Sequence, residues 1–192
     1  MLDPIDGTAT FLRGQQYAIF LALVVDGEEI VGVAGCPNLS LGTGQVEETS
    51  VDTEGMGLMI SAMKGEGAIV RPMGTGKLLP GRRIERSTTG PTDLKDLHFV
   101  DFITGKVSSQ AEKVRRVAAK FGASFPGTEI WSSHMRYVSL IVGDGDVQVR
   151  IPWTRDKRSY VWDHAGSQLI YREIGGKITD LDGKEFAFGA GR

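Results

Sequence analysis

The sequence predicts an α+β fold in which helices and mixed β-sheets lie in layers, and three observations support that prediction. Apolar, β-favouring runs separated by turn residues fill positions 1–72. Apolar residues at helical spacing recur within 95–192. A basic stretch rich in Gly, Pro and Thr, residues 72–93, separates the two parts and is typical of a linker. We therefore expect 1–72 to end a first α/β layer and 95–192 to form a C-terminal α/β subdomain.

Two strand pairs are predicted in the first part. The apolar runs 17–25 and 30–34 flank Asp26-Gly27, a strong hairpin signal. Their nearly continuous apolar character favours strands covered on both faces. A second pair is predicted at 57–61 and 67–71, and the polar residues 41–55 are interpreted as a surface excursion.

Helices dominate the second part. Ser108 or Ser109 can cap a helix whose apolar face ends at Phe121, before Gly122. The predicted elements are strand 97–102, helix 108–121, helix 133–142, strand 147–151, helix 163–174 and hairpin 177–188.

Composition limits the function classes. The 192 residues suit one domain, and a net charge of -2 argues against a nucleic-acid polymer or an anionic membrane as partner. No apolar run approaches the roughly 20 residues of a membrane span, and the single cysteine, Cys36, favours a reducing compartment. We expect a cytoplasmic protein that acts on a small molecule, with its oligomeric state left open. Both ends look like cuts, so the fold is expected to be incomplete at the N-terminus.

The hexapeptide 3–8, Asp-Pro-Ile-Asp-Gly-Thr, carries the chemistry. Mg²⁺ prefers oxygen ligands, usually one or two carboxylates with phosphate and water. A chain that turns into a helix also presents backbone N–H groups that suit a phosphate. The alternative is an Asp-Pro turn followed by an Asp-Gly turn at the surface. The candidates are Asp3, Asp6 and the Ile5 carbonyl for metal, and Gly7 and Thr8 for phosphate.

A second candidate segment is Trp162-Asp163-His164-Ala165-Gly166. Asp163 stands at the start of a predicted helix, where an N-cap would contribute roughly 1 kcal/mol. The same carboxylate has an oxygen to spare for a metal, and the small residues after His164 leave room for a ligand.

Together the hexapeptide, Phe11 and Trp162-Asp163 resemble the paired motifs of the inositol monophosphatase superfamily. The resemblance covers essentially the whole chain and implies the layered fold of the sugar phosphatases, with two or three Mg²⁺ ions. By position it implies the following roles: Asp3, the Ile5 carbonyl, Asp6 and Asp163 as metal ligands, Gly7 and Thr8 as phosphate ligands, and Thr8 with Asp6 as catalytic residues that activate water.

Residues 11–18 and 35–39 resemble the 3'(2'),5'-bisphosphate nucleotidase branch. Ser133 and Arg136 lie three apart in a segment similar to one that contacts nucleotide there, and Arg150 matches a further phosphate or sugar contact. For both arginines the alternative is a solvated surface charge. Ala9-Thr10 stands where the branch has Lys-Gly, Arg136 replaces a lysine, and residues 106–108 offer no match for a histidine near adenine.

The resemblance implies Mg²⁺-dependent removal of the 3'(2')-phosphate from adenosine 3',5'-bisphosphate (PAP) or its sulfated relative PAPS, or, alternatively, inositol monophosphatase activity. It also implies a metal-bridging glutamate and a further aspartate before the hexapeptide, which this sequence does not contain. Glu28-Glu29 follows a hairpin turn and is rejected as a substitute. A hypothesis of another class is therefore an inactive copy that acts only as a binding or interaction fragment.

Overall fold

A computed structural model describes residues 1–40, 42, 45–85, 90–102, 110–154, 156 and 159–190. Its main sheet is antiparallel, with six strands in sequence order. These are β1 (Leu2–Asp6), β2 (Ala18–Val25), β3 (Glu28–Cys36), β4 (Leu58–Met63), β5 (Gly67–Pro72) and β6 (Arg82–Arg83). A small parallel pair consists of β7 (Val100–Asp101) and β8 (Thr128–Glu129).

Four α-helices are described: α1 (Thr8–Phe11), α2 (Ala111–Phe121), α3 (Ser133–Val142) and α4 (Ser167–Glu173). Short 3-10 turns occupy Leu94–Asp96, Val161–Asp163 and Phe188–Ala190. None of these helices is long and apolar enough to cross a membrane.

The first predicted hairpin is confirmed, and its turn explains its register. Asp26 and Gly27 both have positive φ, 50° and 82°, as two-residue hairpin turns require. The second predicted pair is confirmed as β4 and β5. The stretch 72–93 is not only a linker, because β6 extends the sheet from within it.

The two faces of β2 have opposite environments. Ala18 and Phe20, 0% and 2% exposed, pack into the main core with residues of α3 and α4, and Ala22 on the same face is 4% exposed. Leu21 and Leu23, on the other face, are 49% and 50% exposed. The expectation of two covered faces is therefore wrong within the described residues, because both described helices that pack on this sheet lie on one side.

Several expectations for the second part need correction. Predicted strand 147–151 is reduced to one bridge between Phe99 and Val147. Residues 177–188 form a turn closed by an Asp180 N–H to Lys184 carbonyl bond at 2.8 Å, without the strands of a hairpin. Helix α3 is confirmed, and the predicted caps Ser108 and Ser109 lie outside the described residues.

A close backbone contact brings the segment after Trp162 onto the sheet. A Cβ on Gly32 of β3 would stand 2.5 Å from the Gly166 carbonyl oxygen. Only glycine allows that approach, so β3 and the start of α4 meet backbone to backbone.

Candidate functional site

The first acidic segment is the edge strand β1, a strand that the sequence pattern does not predict, and the expected turn into a helix follows it at Gly7 and Thr8. Asp3 pairs with Phe20 and Asp6 with Ala18, so the register slips between them. This bulge and the edge position tolerate Pro4, which has no N–H to donate to a ladder. Gly7, with φ 88°, then turns the chain into α1.

Asp6 is tied to the start of α3. Its Oδ2 accepts the Ser132 hydroxyl at 2.5 Å and the His134 N–H at 2.7 Å. Ser132 also caps α3 by accepting the Met135 N–H at 3.0 Å. A carboxylate at a helix N-terminus is favoured by the helix dipole, so α3 fixes where this acid points.

The second acidic segment differs from expectation at the helix start. Asp163 ends the 3-10 turn Val161–Asp163, and α4 begins only at Ser167. The N-cap position belongs to Gly166, whose φ of 88° is incompatible with a helix interior. The expectation of Asp163 as N-cap is therefore wrong.

The three aspartates influence one another electrostatically. Burial, reinforced by the charges of Asp6 and Asp163, raises the pKa of Asp3 to about 6. Burial and then Asp6 raise the pKa of Asp163, and Arg150 opposes that shift. Carboxylates from opposite ends of the chain thus share one region of negative potential.

The side chains of that region do not form a complete metal-coordination site by themselves. Among the described residues, no three His, Cys, Asp or Glu side chains form a group able to hold a metal by themselves. Mg²⁺ usually takes one or two carboxylates and completes its shell with water and substrate phosphate. The concentrated negative charge and the nearby backbone carbonyl of Ile5 fit such a cation.

His134 connects the two acidic segments, and the sequence interpretation passed over it. Its Nε2 lies 2.8 Å from the Trp162 carbonyl oxygen, which can only accept, so Nε2 carries the proton. Nδ1 then accepts the Ser167 hydroxyl at 2.5 Å. Burial lowers the pKa of His134, so its 3.8 Å approach to Asp3 is not an ion pair. The only sequence signal for a role of His134 was its position within 133–137, the segment that resembles a nucleotide-contacting segment of the family.

Arginines border the acidic region. Ser133 and Arg136 share a helix face as predicted, with Nη2 to Oγ at 3.1 Å. Arg136 is only 5% exposed and donates through Nη1 to the carbonyls of Ile130 and Trp131, so the surface-charge alternative is wrong for it. Burial, followed by the charge of Arg150, lowers the pKa of Arg136.

Arg150 is half-buried beside His164, with Nη1 3.4 Å from Nε2. Burial and this neighbouring cation lower the pKa of His164 to about 3, which keeps the ring neutral. Arg150 and Arg136 oppose the rise that burial causes in the pKa of Asp163, and the charges of Asp101 and Asp6 oppose the fall that burial causes in the pKa of Arg136. The region therefore combines acidic groups, which can attract a cation, with cationic groups, which can attract an anion.

Comparison with known proteins identifies the family. The inositol monophosphatase family model matches residues 1–192. A 3'(2'),5'-bisphosphate nucleotidase of Emericella nidulans is 36% identical over 196 residues, which cover 100% of this chain and 54% of that protein. One of Oryza sativa is 36% identical over 193 residues, covering 100% and 51%. The chain spans about half the length of these curated relatives.

Solved structures agree on the fold. Inositol monophosphatase-II of Staphylococcus aureus MSSA476 matches with a TM-score of 0.65 and 18% identity, over 98% of this chain and 60% of that one. An IMPase/NADP phosphatase complexed with Mg²⁺ and phosphate matches with a TM-score of 0.63 and 19% identity, over 97% and 56%. The predicted layered α+β fold is confirmed, and the chain belongs to the inositol monophosphatase family.

Proposed function

We propose that this chain carries the acidic site of a Mg²⁺-dependent phosphomonoester hydrolase that removes the 3'(2')-phosphate of PAP or PAPS in the cytoplasm. The observation that carries the proposal is the meeting of the two acidic segments: β1 contacts the turn Val161–Asp163, and His134 Nε2 lies 3.8 Å from Asp3 and 2.8 Å from the Trp162 carbonyl oxygen. The names of the curated relatives favour a nucleotide over inositol phosphate as substrate.

The metal would be held by oxygen ligands from both acidic segments. We propose Asp3, the Ile5 carbonyl, Asp6 and Asp163 as ligands of two or three Mg²⁺ ions. Bound Mg²⁺ would supply an acidified water and would neutralise charge on the phosphate. A bound cation would also offset the repulsion by Asp6 and Asp163 that, after burial, raises the pKa of Asp3.

Thr8 would orient the attacking water. Its hydroxyl donates to the Ile5 carbonyl oxygen at 3.2 Å, which leaves the Oγ lone pairs free to accept from a water. The backbone N–H groups of Gly7 and Thr8 would then donate to phosphate oxygens. In this arrangement the Thr8 hydroxyl binds the water, and the two backbone N–H groups bind the phosphate.

Specificity for a second phosphate would come from the basic side. Arg150 is half-buried, and we propose that its guanidinium contacts phosphate or sugar. Arg136 is committed to backbone carbonyls, so we propose that it acts through its charge and by fixing Ser133. A nucleotide bisphosphate offers more negative charge to this surface than an inositol monophosphate does.

Phosphate release from PAP and from inositol 1-phosphate, each with and without Mg²⁺, tests the proposal. The assay compares the chain with an Asp163→Asn variant and with a fusion that adds the unmatched part of the Emericella nidulans relative. We expect Mg²⁺-dependent release that favours PAP and is lost in Asp163→Asn. Preference for inositol phosphate would support the other substrate class. PAP binding without turnover in every form would favour the binding-fragment hypothesis and contradict ours.

A further inference from the structure

A buried carboxylate outside the proposed site holds the segment that carries Asp163. Glu29 lies on β3, is 5% exposed, and faces α4. Its Oε1 accepts the Gly166 N–H at 2.6 Å, and its Oε2 accepts Arg172 Nη1 at 2.8 Å. One side chain therefore fastens both the entry and the last turn of α4 to the central sheet.

The Gly166 contact has a specific backbone cause. With φ 88° and ψ -51°, Gly166 directs its N–H away from the helical pattern, so this donor needs a partner from another element. Gly32 clears the space for that approach. The Glu29 carboxylate supplies the acceptor, and a charged acceptor makes a stronger bond than a neutral one.

From Glu29 a continuous series of polar contacts runs to the proposed substrate side. Arg172 Nη2 donates to Gln168 Oε1 at 3.2 Å, and Gln168 Nε2 donates to the Tyr137 hydroxyl at 3.2 Å. The Tyr137 hydroxyl lies 3.1 Å from His164 Nδ1.

The orientation of the last contacts follows from donor chemistry. Arg150 only donates, so His164 Nε2 accepts, and the proton of the neutral ring lies on Nδ1, toward Tyr137. His164 directly follows Asp163 in the chain. The series thus ends on Arg150, which the proposed function assigns to substrate, and passes through the chain neighbour of Asp163, which the proposed function assigns to metal.

We propose that Glu29, together with Arg172, is a positioning pair that sets the orientation of Asp163 and Arg150. This inference rests on the proposed function of that site. Removing the Glu29 charge frees the turn 163–166 to move relative to β1. The Asp163 carboxylate is then displaced from the position in which it would bind a cation together with Asp3 and Asp6. Loss of a residue that orients metal ligands typically lowers metal affinity 10–100-fold.

The neighbouring residue provides a matched control. Glu28 lies on the same strand with its side chain exposed, and it pairs with Lys64 at 2.5 Å. Glu28→Gln and Glu29→Gln are therefore the same substitution one residue apart, on opposite faces of β3. Arg172→Met is a second variant that breaks the pair but keeps the Glu29–Gly166 bond.

Three readouts test the pair. Hydrogen exchange of the Gly166 amide and the indole N–H resonance of Trp162 are recorded without metal, and the Trp162 resonance is then followed during a Mg²⁺ titration. For Glu29→Gln we expect about 10-fold faster Gly166 exchange, a displaced Trp162 resonance and a Mg²⁺ midpoint about 10-fold higher. Glu28→Gln should match the unmodified chain in all three, and Arg172→Met should lie between.

The outcomes separate this inference from the proposed function. If the unmodified chain shows no Mg²⁺ response, the proposed function fails, and the metal-free readouts decide whether Glu29 holds the turn. A folded Glu29→Gln protein with the exchange, resonance and midpoint of Glu28→Gln overturns the positioning role. If Glu29→Gln does not fold, Arg172→Met decides: a normal Mg²⁺ midpoint and a normal Trp162 resonance overturn the inference.

Discussion

The two acidic segments are held in place by different means. Strand β1, with Asp3 and Asp6, hydrogen-bonds through its backbone to β2 and is tied to the N-terminus of α3. The turn that carries Asp163 instead depends on side chains, including a carboxylate 137 residues away that accepts its Gly166 N–H. The first segment is thus positioned by a sheet edge and a helix start, and the second by a buried polar series. Substitutions in the two segments should therefore have different effects on activity and on stability.

The largest effect is expected at Asp6, which is both a proposed metal ligand and the acceptor that ties β1 to α3. Asp6→Asn removes the charge that accepts from Ser132 and from the His134 N–H. We expect Mg²⁺-dependent phosphate release to fall at least about 100-fold, because groups in a metal site act as a unit. Activity is measured by phosphate release. Asp182→Asn, at an exposed turn, is the matched control, and near-normal activity of Asp6→Asn would remove Asp6 from the metal site.

The next effect isolates the anchor from the ligand. Ser132→Ala removes both the bond to Asp6 and the cap on Met135 N–H. We expect the free energy of unfolding to fall by about 2 kcal/mol in denaturant titration, the sum of a cap and a charge-assisted bond. Ser133→Ala loses only its contact with Arg136 and should cost less. Equal losses in the two variants would show that the Asp6 anchor adds nothing.

A smaller effect is expected in the polar series behind Asp163. Tyr137→Phe removes the hydroxyl shared by His164 and Gln168. We expect the free energy of unfolding to fall by about 1 kcal/mol, since buried partners lose a hydrogen bond. Tyr17→Phe keeps the ring contact with Phe11 and serves as control. If Tyr137→Phe were the more stable protein, the series would not stabilise the second segment.

The smallest effect concerns pH, because solvent screens a half-buried carboxylate. The folded pKa of Asp3 is raised from 3.8 to about 6, so the folded chain binds this proton more tightly than the unfolded chain. The stabilisation from this group is full below pH 3.8 and is lost as pH rises toward 6. In EDTA, thermal unfolding between pH 4 and 7 should therefore decline less steeply for Asp3→Asn. Parallel curves would mean that burial and the neighbouring acids do not raise the pKa of Asp3 in the folded chain.

Local patterns predicted much of the fold. The strands β2 to β5 and helix α3 follow from short apolar runs, turn glycines and helical spacing, which act within a few residues. Strand β1 was missed because Asp-Pro resembles a turn until β2 supplies an edge to pair with. The last helix was predicted to start at Asp163, but it starts only at Ser167. The reason is Gly166, whose positive φ is stabilised by a contact with β3, a strand that lies far away in sequence.

The sequence by itself determined the chemistry available: two carboxylates within one hexapeptide, a further aspartate after Trp162, and the arginines Arg136 and Arg150 in the second part of the chain. These residues can be recognised in a sequence because only a few residue types serve as ligands for hard cations and phosphates. Only the tertiary structure decided that Glu29 is buried against Gly166 while Glu28 faces water, and that His134 joins the two acidic segments. Adjacent residues of a strand point to opposite faces, and which face is covered depends on helices encoded a hundred or more residues away.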